Sequence, residues 1–185
     1  MNCSGKHAAM LATCVLNGWP TGEYLARGHP LQRAILRTVE ELAGERVTAT
    51  GVDGCGAPLF ALTLAGLARA FRAMVLAAPG TPERRVAEAM LAHPEWTSGT
   101  HRDERRIMDA VPGLLVKGGA EGVVAFAFTD GRAGAVKIDD GMARGRIPVM
   151  VAALRLLGAV VPDEFATVPV TGGDAEVGAV RAVAP

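Results

Sequence analysis

Residues 114–138 have the sequence LLVKGGAEGVVAFAFTDGRAGAVKI, and this stretch indicates the fold class. Short apolar runs lie at 114–117, 123–129 and 133–138. Asp130-Gly131 separates the last two runs, and an Asp-Gly pair between apolar runs is a strong signal for a tight turn. The segment therefore predicts strands that are joined by an antiparallel hairpin.

Helices are predicted on both sides of this segment. Apolar residues at helical spacing place them at about 2–16, 30–42, 59–75, 82–92, 103–111 and 147–161. Asn2 or Ser4 is the expected cap of the first helix, and residues 47–52 are β-prone. Helices followed by an antiparallel hairpin and a C-terminal helix predict an α+β fold and not a βαβ alternation.

Length and composition indicate one globular domain. The 185 residues, half of them apolar, are enough for one domain with a single core, which we place at 1–162. Residues 163–185 are rich in Gly, Pro and Ala, so we expect a flexible tail there.

Charge and cysteine content exclude several classes of partner. Lys plus Arg and Asp plus Glu number 19 each, and aromatic residues make up 4%, which argues against nucleic acid. No apolar run approaches the length of about 18 residues that spans a membrane. The three cysteines are odd in number and the N-terminus does not resemble a signal peptide, which favours the cytoplasm.

The first block that could carry chemistry is Cys-Ser-Gly-Lys-His at residues 3–7. On a helix, Cys3, Lys6 and His7 fall at i, i+3 and i+4 and can share one face. A thiolate beside an ammonium has a lowered pKa, which makes it a better metal ligand or nucleophile. A helix start with a solvated lysine and a half-buried cysteine fits the same spacing, and spacing alone favours it.

The second block is the loop GVDGCGAP at residues 51–58. Three glycines within six residues permit close backbone approach and leave Cys55 accessible. A predicted helix follows directly, so backbone N–H groups there could hold an anion or a carboxylate. Two cysteines with a third donor would suit zinc, although the chain has no C-x-x-C motif. A tight connection without a ligand is equally compatible with this loop.

The third block is VKGGAEG at residues 116–122. Lys117 ends an apolar strand and is followed by two glycines, so its side chain can point into a cleft where the backbone approaches a ligand. There it could hold a carboxylate or depress a neighbouring pKa. A hairpin turn with surface charges fits the same residues.

Together the three blocks resemble one family. NCSGKHA at 2–8, GVDGCGAP at 51–58 and KGGAEG at 117–122 are similar to the bacterial L-asparaginases of the rhizobial type, and HPLQ at 29–32 fits the same order. The resemblance runs from Asn2 to about Leu157. It implies a fold similar to serine β-lactamases and glutaminases, here a part of that fold, and hydrolysis of L-asparagine to L-aspartate and ammonia.

The resemblance implies roles for particular residues. Cys3, Lys6 and Cys55 match the positions that hold a zinc ion next to the substrate, and Lys6 must be neutral to act as a ligand. Lys117 matches a lysine of the active site, and we expect it to share a cleft with Cys55. Asp53 and Gly54 are the expected substrate contacts. The implied partner is a small molecule, and a homodimer is left open.

The sequence departs from the family in one respect. The resemblance implies an attacking serine in an S-x-x-K segment, N-terminal to the first block. Here Ser4 is followed three places later by His7, and Ser98 by His101. We therefore expect the chain to be a C-terminal portion of the family domain that is inactive alone. Met1 would then be a late start codon, the start of a gene fragment or a chosen domain boundary.

Two other functions remain compatible with the sequence. A related amidohydrolase that acts on glutamine or a β-lactam is disfavoured, because a K-[ST]-G element is expected there in place of K-G-G at 117–119. A non-catalytic metal-binding or interaction remnant is favoured by the missing nucleophile. The joint presence of Cys3, Lys6, Cys55 and Lys117 argues against it.

Overall fold

The computed structural model describes residues 3–183 and has an α+β fold, as predicted. The chain forms two compact units, Met1–Thr63 and Leu64–Pro185. The sequence predicted one domain with a single core at 1–162. The structure has two units, and each is built from its own helices and strands.

The first unit contains two helices and a small antiparallel hairpin, namely α1 (Ser4–Leu16), α2 (Pro30–Ala43), β1 (Thr50–Val52) and β2 (Pro58–Phe60). The N-cap of α1 is Cys3, which makes no side-chain capping bond. Of the two expected caps, Ser4 is instead the first residue of the helix, and Asn2 lies outside the described residues. The helix ends at Asn17-Gly18 as predicted, because Gly18 adopts a left-handed φ of 65°.

The start of the helix predicted at 59–75 was wrong. Residues of β2 instead pair with β1, with Thr50 opposite Phe60 and Val52 opposite Pro58. One residue beyond the two strands, a further main-chain hydrogen bond joins them: Ala61 N–H donates to Ala49 O at 2.9 Å. A short apolar run fits a buried strand and a helix equally well, so periodicity could not decide between them.

The second unit surrounds a three-stranded sheet. Its helices are α3 (Leu64–Leu76), α4 (Pro82–Ala92), α5 (Pro94–Thr97), α6 (Asp103–Ala110) and α7 (Arg146–Leu156). Its strands are β3 (Leu114–Gly118), β4 (Val123–Phe128), β5 (Ala133–Lys137), β6 (Thr167–Gly172) and β7 (Ala175–Arg181). The antiparallel order β3-β4-β5 and the turn at Asp130-Gly131 confirm the predicted hairpin.

Helices cover both faces of this sheet. Val116, Val124 and Phe126 point to one side, where they pack with α6 and with Met150 and Leu154 of α7. Leu115 and Ala127 point to the other side and pack with α3 and α4. Burying each large apolar side chain contributes about 1.5–3 kcal/mol, so α7 fixes the sheet by its apolar face. The helix ends at Leu156, earlier than predicted, because Gly158 turns the chain with a φ of 80°.

The tail after Pro162 has regular structure, contrary to the expectation of a flexible segment. Phe165 is buried in the core of the second unit, and β6 and β7 form an antiparallel hairpin. In this hairpin Val168 lies opposite Val180, and the chain turns at Gly173, which has a φ of 62°. The Gly and Pro content of this segment had suggested a flexible tail instead of strands.

None of the helices in residues 3–183 combines the length and the apolar character that crossing a membrane requires.

Candidate functional site

In the first unit, Cys3, Asp53 and Cys55 form one cluster. One ligand atom from each lies within 4.8 Å of the others. Cys3 is at the start of α1, and the other two lie in the turn between β1 and β2. All three side chains are half-buried. The fold of the first unit thus brings together two cysteines that are far apart in the sequence.

The turn from Asp53 to Ala57 fixes two of these donors. Asp53 N–H donates to Ala57 O at 2.8 Å, and Gly56 N–H donates to Asp53 O at 2.8 Å. Gly56 adopts a φ of 86°, which favours glycine over other residues. Gly54 N–H donates to Asp53 Oδ1 at 2.8 Å. The predicted substrate contact Gly54 therefore already has an acceptor for its N–H in this arrangement.

Lys6 completes the cluster as a cation. Its Nζ donates to Asp53 Oδ2 at 2.9 Å. Desolvation lowers the pKa of Lys6, but hydrogen bonds to Asp53 and Cys55 outweigh it, so the pKa lies above its ordinary value. The pKa of Asp53 is lowered, first by the Lys6 hydrogen bond and then by Gly54 N–H. Without a metal, Lys6 is thus a charged partner of Asp53 and not the neutral amine that a ligand role requires.

The two thiols are not equivalent. The Ala57 N–H, followed by His7, lowers the pKa of Cys55 to about 7. The pKa of Cys3 is raised, chiefly because its thiol shares a hydrogen bond with Cys55. Cys55 is therefore the first of the two thiols to ionise as the pH rises, and Cys3 remains protonated beside it.

These donors fit the chemistry of zinc. Zinc accepts cysteine sulfur at about 2.3 Å and carboxylate oxygen at about 2.0–2.2 Å, so ligand atoms on one ion lie roughly 4 Å apart. The 4.8 Å limit on the cluster is compatible with that separation after small side-chain movements. Two sulfurs, with the nitrogen of Lys6 or the oxygen of Asp53 as a third donor, also match the borderline-soft character of zinc better than that of magnesium or calcium.

Two residues beside the cluster extend it. His7 lies on α1 one turn after Cys3, and its Nδ1 is 2.7 Å from the Tyr24 hydroxyl. Helical spacing had predicted the face that His7 shares with Cys3, but not the contact with Tyr24. No sequence signal links Tyr24 to this block, because the contact joins residues 17 positions apart across a loop.

In the second unit, Lys117 lies in β3 with an exposed side chain, and its Nζ donates to Gly118 O at 2.6 Å. A buried ion pair that was not predicted from the sequence supports this strand. Arg146 pairs with Glu104, and Arg146 Nη1 donates to Gly119 O at 3.0 Å. The backbone after Lys117 is thereby held in place. The predicted role of Lys117, and its predicted cleft with Cys55, remain predictions.

An α+β chain with two thiols, a carboxylate and an amine in one cluster defines a protein with a candidate thiolate metal site. The model of the L-asparaginase II family matches residues 1–182, nearly the whole chain. The chain belongs to the L-asparaginase II family, which confirms the family resemblance seen in the three sequence blocks. No curated protein sequence matches the chain. Family membership indicates an amidohydrolase with a small-molecule substrate.

Proposed function

We propose that this chain serves the hydrolysis of L-asparagine to L-aspartate and ammonia, with a zinc ion held by Cys3, Lys6 and Cys55. The observation that supports the proposal is the approach of Cys3, Asp53 and Cys55 to within 4.8 Å, in two of the blocks on which the family resemblance rests.

The proposed ligands differ in whether they must lose a proton to bind zinc. Cys55 supplies the first thiolate at neutral pH, because its pKa is about 7. Cys3 and Lys6 must each lose a proton to bind, and binding is therefore accompanied by proton release. Lys6 must also leave Asp53, whose carboxylate then becomes available as an oxygen donor or as a substrate contact. When bound, zinc would supply Lewis-acid polarisation next to the substrate.

The substrate is a zwitterion and needs one partner of each charge. Lys117 is the proposed catalytic residue and the cation for the substrate carboxylate or the reacting group. Asp53 is the proposed anion for the substrate ammonium, with Gly54 beside it. A charge-assisted hydrogen bond of this type is worth about 1.5–3 kcal/mol, so each contact is large enough to affect binding measurably.

Amide hydrolysis adds water across the C–N bond and needs an activated nucleophile. The sequence contains two serines, Ser4 and Ser98, and neither has a lysine three residues later. Losing the nucleophile of a serine hydrolase costs about a million-fold in rate. We therefore propose that these 185 residues bind zinc and substrate but release ammonia slowly when assayed alone.

The proposal is tested by calorimetric titration of the reduced, zinc-loaded chain with L-asparagine, L-glutamine and D-asparagine, together with an ammonia assay. We expect L-asparagine to bind best, with L-glutamine weaker by about 10–200-fold, the usual discrimination for one methylene. Cys55→Ser should abolish zinc-dependent binding. Cys14→Ala is the matched control, because Cys14 is buried in α1 outside the cluster.

Three results would contradict the proposal. Tight zinc binding without any zinc-dependent binding of L-asparagine would favour a metal-binding protein without this substrate. Preference for L-glutamine would favour a glutaminase. Ammonia release at several turnovers per second, abolished by Ser4→Ala, would show that the chain has its own nucleophile.

A further inference from the structure

In the second unit, Lys117 is followed by two glycines, Gly118 and Gly119, where β3 ends. Glycine has the largest backbone freedom of all residues, so a strand end with two glycines keeps one conformation only if other contacts hold it. Gly119 has two such contacts. Its N–H donates to Val123 O at 2.8 Å, and its carbonyl accepts from Arg146 Nη1 at 3.0 Å. The second contact comes from outside the hairpin, so Arg146 anchors this backbone to the helices.

The guanidinium of Arg146 is itself held by Glu104. Arg146 is the first residue of α7 and Glu104 lies in α6, and their side chains are only 13% and 5% exposed. An arginine that serves only an ion pair can donate two parallel bonds to one carboxylate. Here Nη2 donates to Glu104 and Nη1 to Gly119 O, while Nε is buried without a hydrogen-bond partner among residues 3–183. The orientation of the guanidinium thus favours the backbone contact over a bidentate ion pair.

Burial of this ion pair is not explained by stability alone. Both ions lose hydration, and replacing a buried pair by apolar side chains often leaves a protein equally or more stable. Other residues of the same two helices, such as Ile107 and Met150, are apolar and buried in the core of the second unit. An apolar side chain at position 146, however, could not donate a hydrogen bond to Gly119 O. The charged pair therefore supplies a directed donor at a place where the core is otherwise apolar.

The ion pair lies behind the strand that carries Lys117. Successive side chains of a strand point to opposite faces of the sheet. A β-carbon on Gly118 would face Glu104 and Arg146, so position 118 points toward α6 and α7. Lys117 therefore points to the other face, where its Nζ donates to Gly118 O at 2.6 Å. The pair can thus influence Lys117 only through the backbone of the two glycines.

We propose that Arg146 and Glu104 are positioning residues that hold the backbone after Lys117 and thereby fix where the lysine ammonium meets the substrate. This inference rests on the proposed function, in which Lys117 is the catalytic residue. Without the bond to Gly119 O the two glycines can rotate, and the carbonyl of Gly118 that accepts from Lys117 rotates with them. A displacement of about 1 Å at a reacting group can lower a rate about a hundredfold. Neither member of the pair touches the substrate itself.

The first test compares L-asparagine binding by the zinc-loaded chain with the free energy of unfolding. We expect Arg146→Met to weaken binding about as much as Lys117→Met does, roughly 10–100-fold, the loss of one charge-assisted hydrogen bond. Glu104→Gln should weaken binding less, because its amide oxygen still accepts from Nη2. Leu154→Ala is the control, since Leu154 is buried at the other end of α7 and its loss should lower stability without weakening binding. Equal losses of binding in Arg146→Met and Leu154→Ala would overturn the proposal.

The second test needs neither zinc nor substrate and therefore separates this inference from the proposed function. The chain has three lysines, and Lys137 is the internal reference, because it ends β5 and its Nζ donates to the carbonyl of the next residue, as that of Lys117 does. Brief amine labelling followed by mass spectrometry gives the ratio of modification at Lys117 to that at Lys137.

We expect Arg146→Met to raise this ratio several-fold, because Lys117 Nζ loses its fixed acceptor, and Leu154→Ala to leave the ratio unchanged. Glu104→Gln should raise it less, and this variant decides the question if Arg146→Met does not fold. If wild type binds no L-asparagine, the proposed function fails, and the ratio still decides whether the pair positions Lys117. A ratio that is the same in wild type and in the folded variants of the pair would overturn the proposal.

Discussion

At the scale of single residues, Gly118 shows how closely the second unit packs around the segment after Lys117. A β-carbon at Gly118 would overlap Glu104 Oε1 and lie 3.0 Å from Arg146 Nη1. Because this ion pair is buried, it has little room to move away. We expect Gly118→Ala to lower the free energy of unfolding by about 1–3 kcal/mol, as overpacked substitutions do.

Chemical denaturation measures this effect, and Gly178→Ala is the matched control. Gly178 also lies in a strand, but nothing is within 4 Å of its added β-carbon. Its substitution should change stability by less than about 0.5 kcal/mol. Equal effects of the two substitutions would show that the Glu104–Arg146 pair does not constrain Gly118.

Glu40 is expected to make stability depend on pH. Val47 N–H, followed by Arg46, lowers the pKa of Glu40 below its ordinary value of 4.5. A lowered pKa in the folded state means that the carboxylate stabilises the fold above pH 4.5 and that this contribution disappears as pH falls through the lowered pKa. Wild type should therefore exceed Glu40→Gln in stability at pH 7, with a difference that shrinks under acid conditions. Urea denaturation across this range measures the difference, and a constant gap would contradict the assignment.

The candidate site could be predicted from the sequence only where its residues lie in short blocks. Helical spacing and a glycine-rich loop marked Cys3, Lys6 and Cys55 as possible donors, whereas their assignment as zinc ligands came from the family resemblance. Asp53 was expected to contact the substrate, whereas the structure also places it against the two thiols. The Tyr24 contact with His7 could not be foreseen, because it depends on how a loop returns to α1.

At the scale of elements, the packing of α7 on the sheet offers a matched pair of leucines. Leu154 is fully buried against the sheet, whereas Leu156 in the same helix is 76% exposed. Leu154→Ala should lower the free energy of unfolding by about 2–5 kcal/mol, through lost burial and a residual cavity. Leu156→Ala should change it by less than about 0.5 kcal/mol. Thermal or urea unfolding measures both, and a similar cost would contradict the observed orientation of α7.

Elements with a strong local signal were predicted well. The apolar runs on either side of Asp130-Gly131 were correctly predicted as strands, because the Asp-Gly turn signal and the apolar runs both indicated a hairpin. The short strand β2 was assigned to a helix, since three apolar residues carry too little pattern to separate the two. The hairpin of β6 and β7 was missed because its composition suggested a flexible tail.

At the scale of the whole molecule, zinc binding in the first unit should raise the stability of that unit. Trp19 lies in the first unit and Trp96 in the second, so Trp96→Phe leaves Trp19 as the single tryptophan reporter. Trp96 is 86% exposed, and its replacement should be tolerated. Free zinc at 100 times its Kd should stabilise the folded state by about 2.7 kcal/mol.

The measurement is thermal unfolding followed by Trp19 fluorescence, with zinc and with a chelator. The added Cys3→Ser and Cys55→Ser substitutions should remove the zinc-dependent increase in Tm, whereas Cys14→Ala should retain it. A zinc effect that persists without Cys3 and Cys55 would place the metal elsewhere.

X-ray absorption at the zinc edge of the metal-loaded chain tests the proposed metal site most directly, because it counts the ligand atoms around the ion. We expect two sulfur scatterers at about 2.3 Å, with nitrogen or oxygen scatterers at about 2.0–2.2 Å completing a four-coordinate shell. One sulfur should disappear in Cys55→Ser, and Cys14→Ala should leave the spectrum unchanged. A zinc shell without sulfur, or one that does not change when Cys55 is replaced, would contradict the assignment of Cys3 and Cys55 as the metal site.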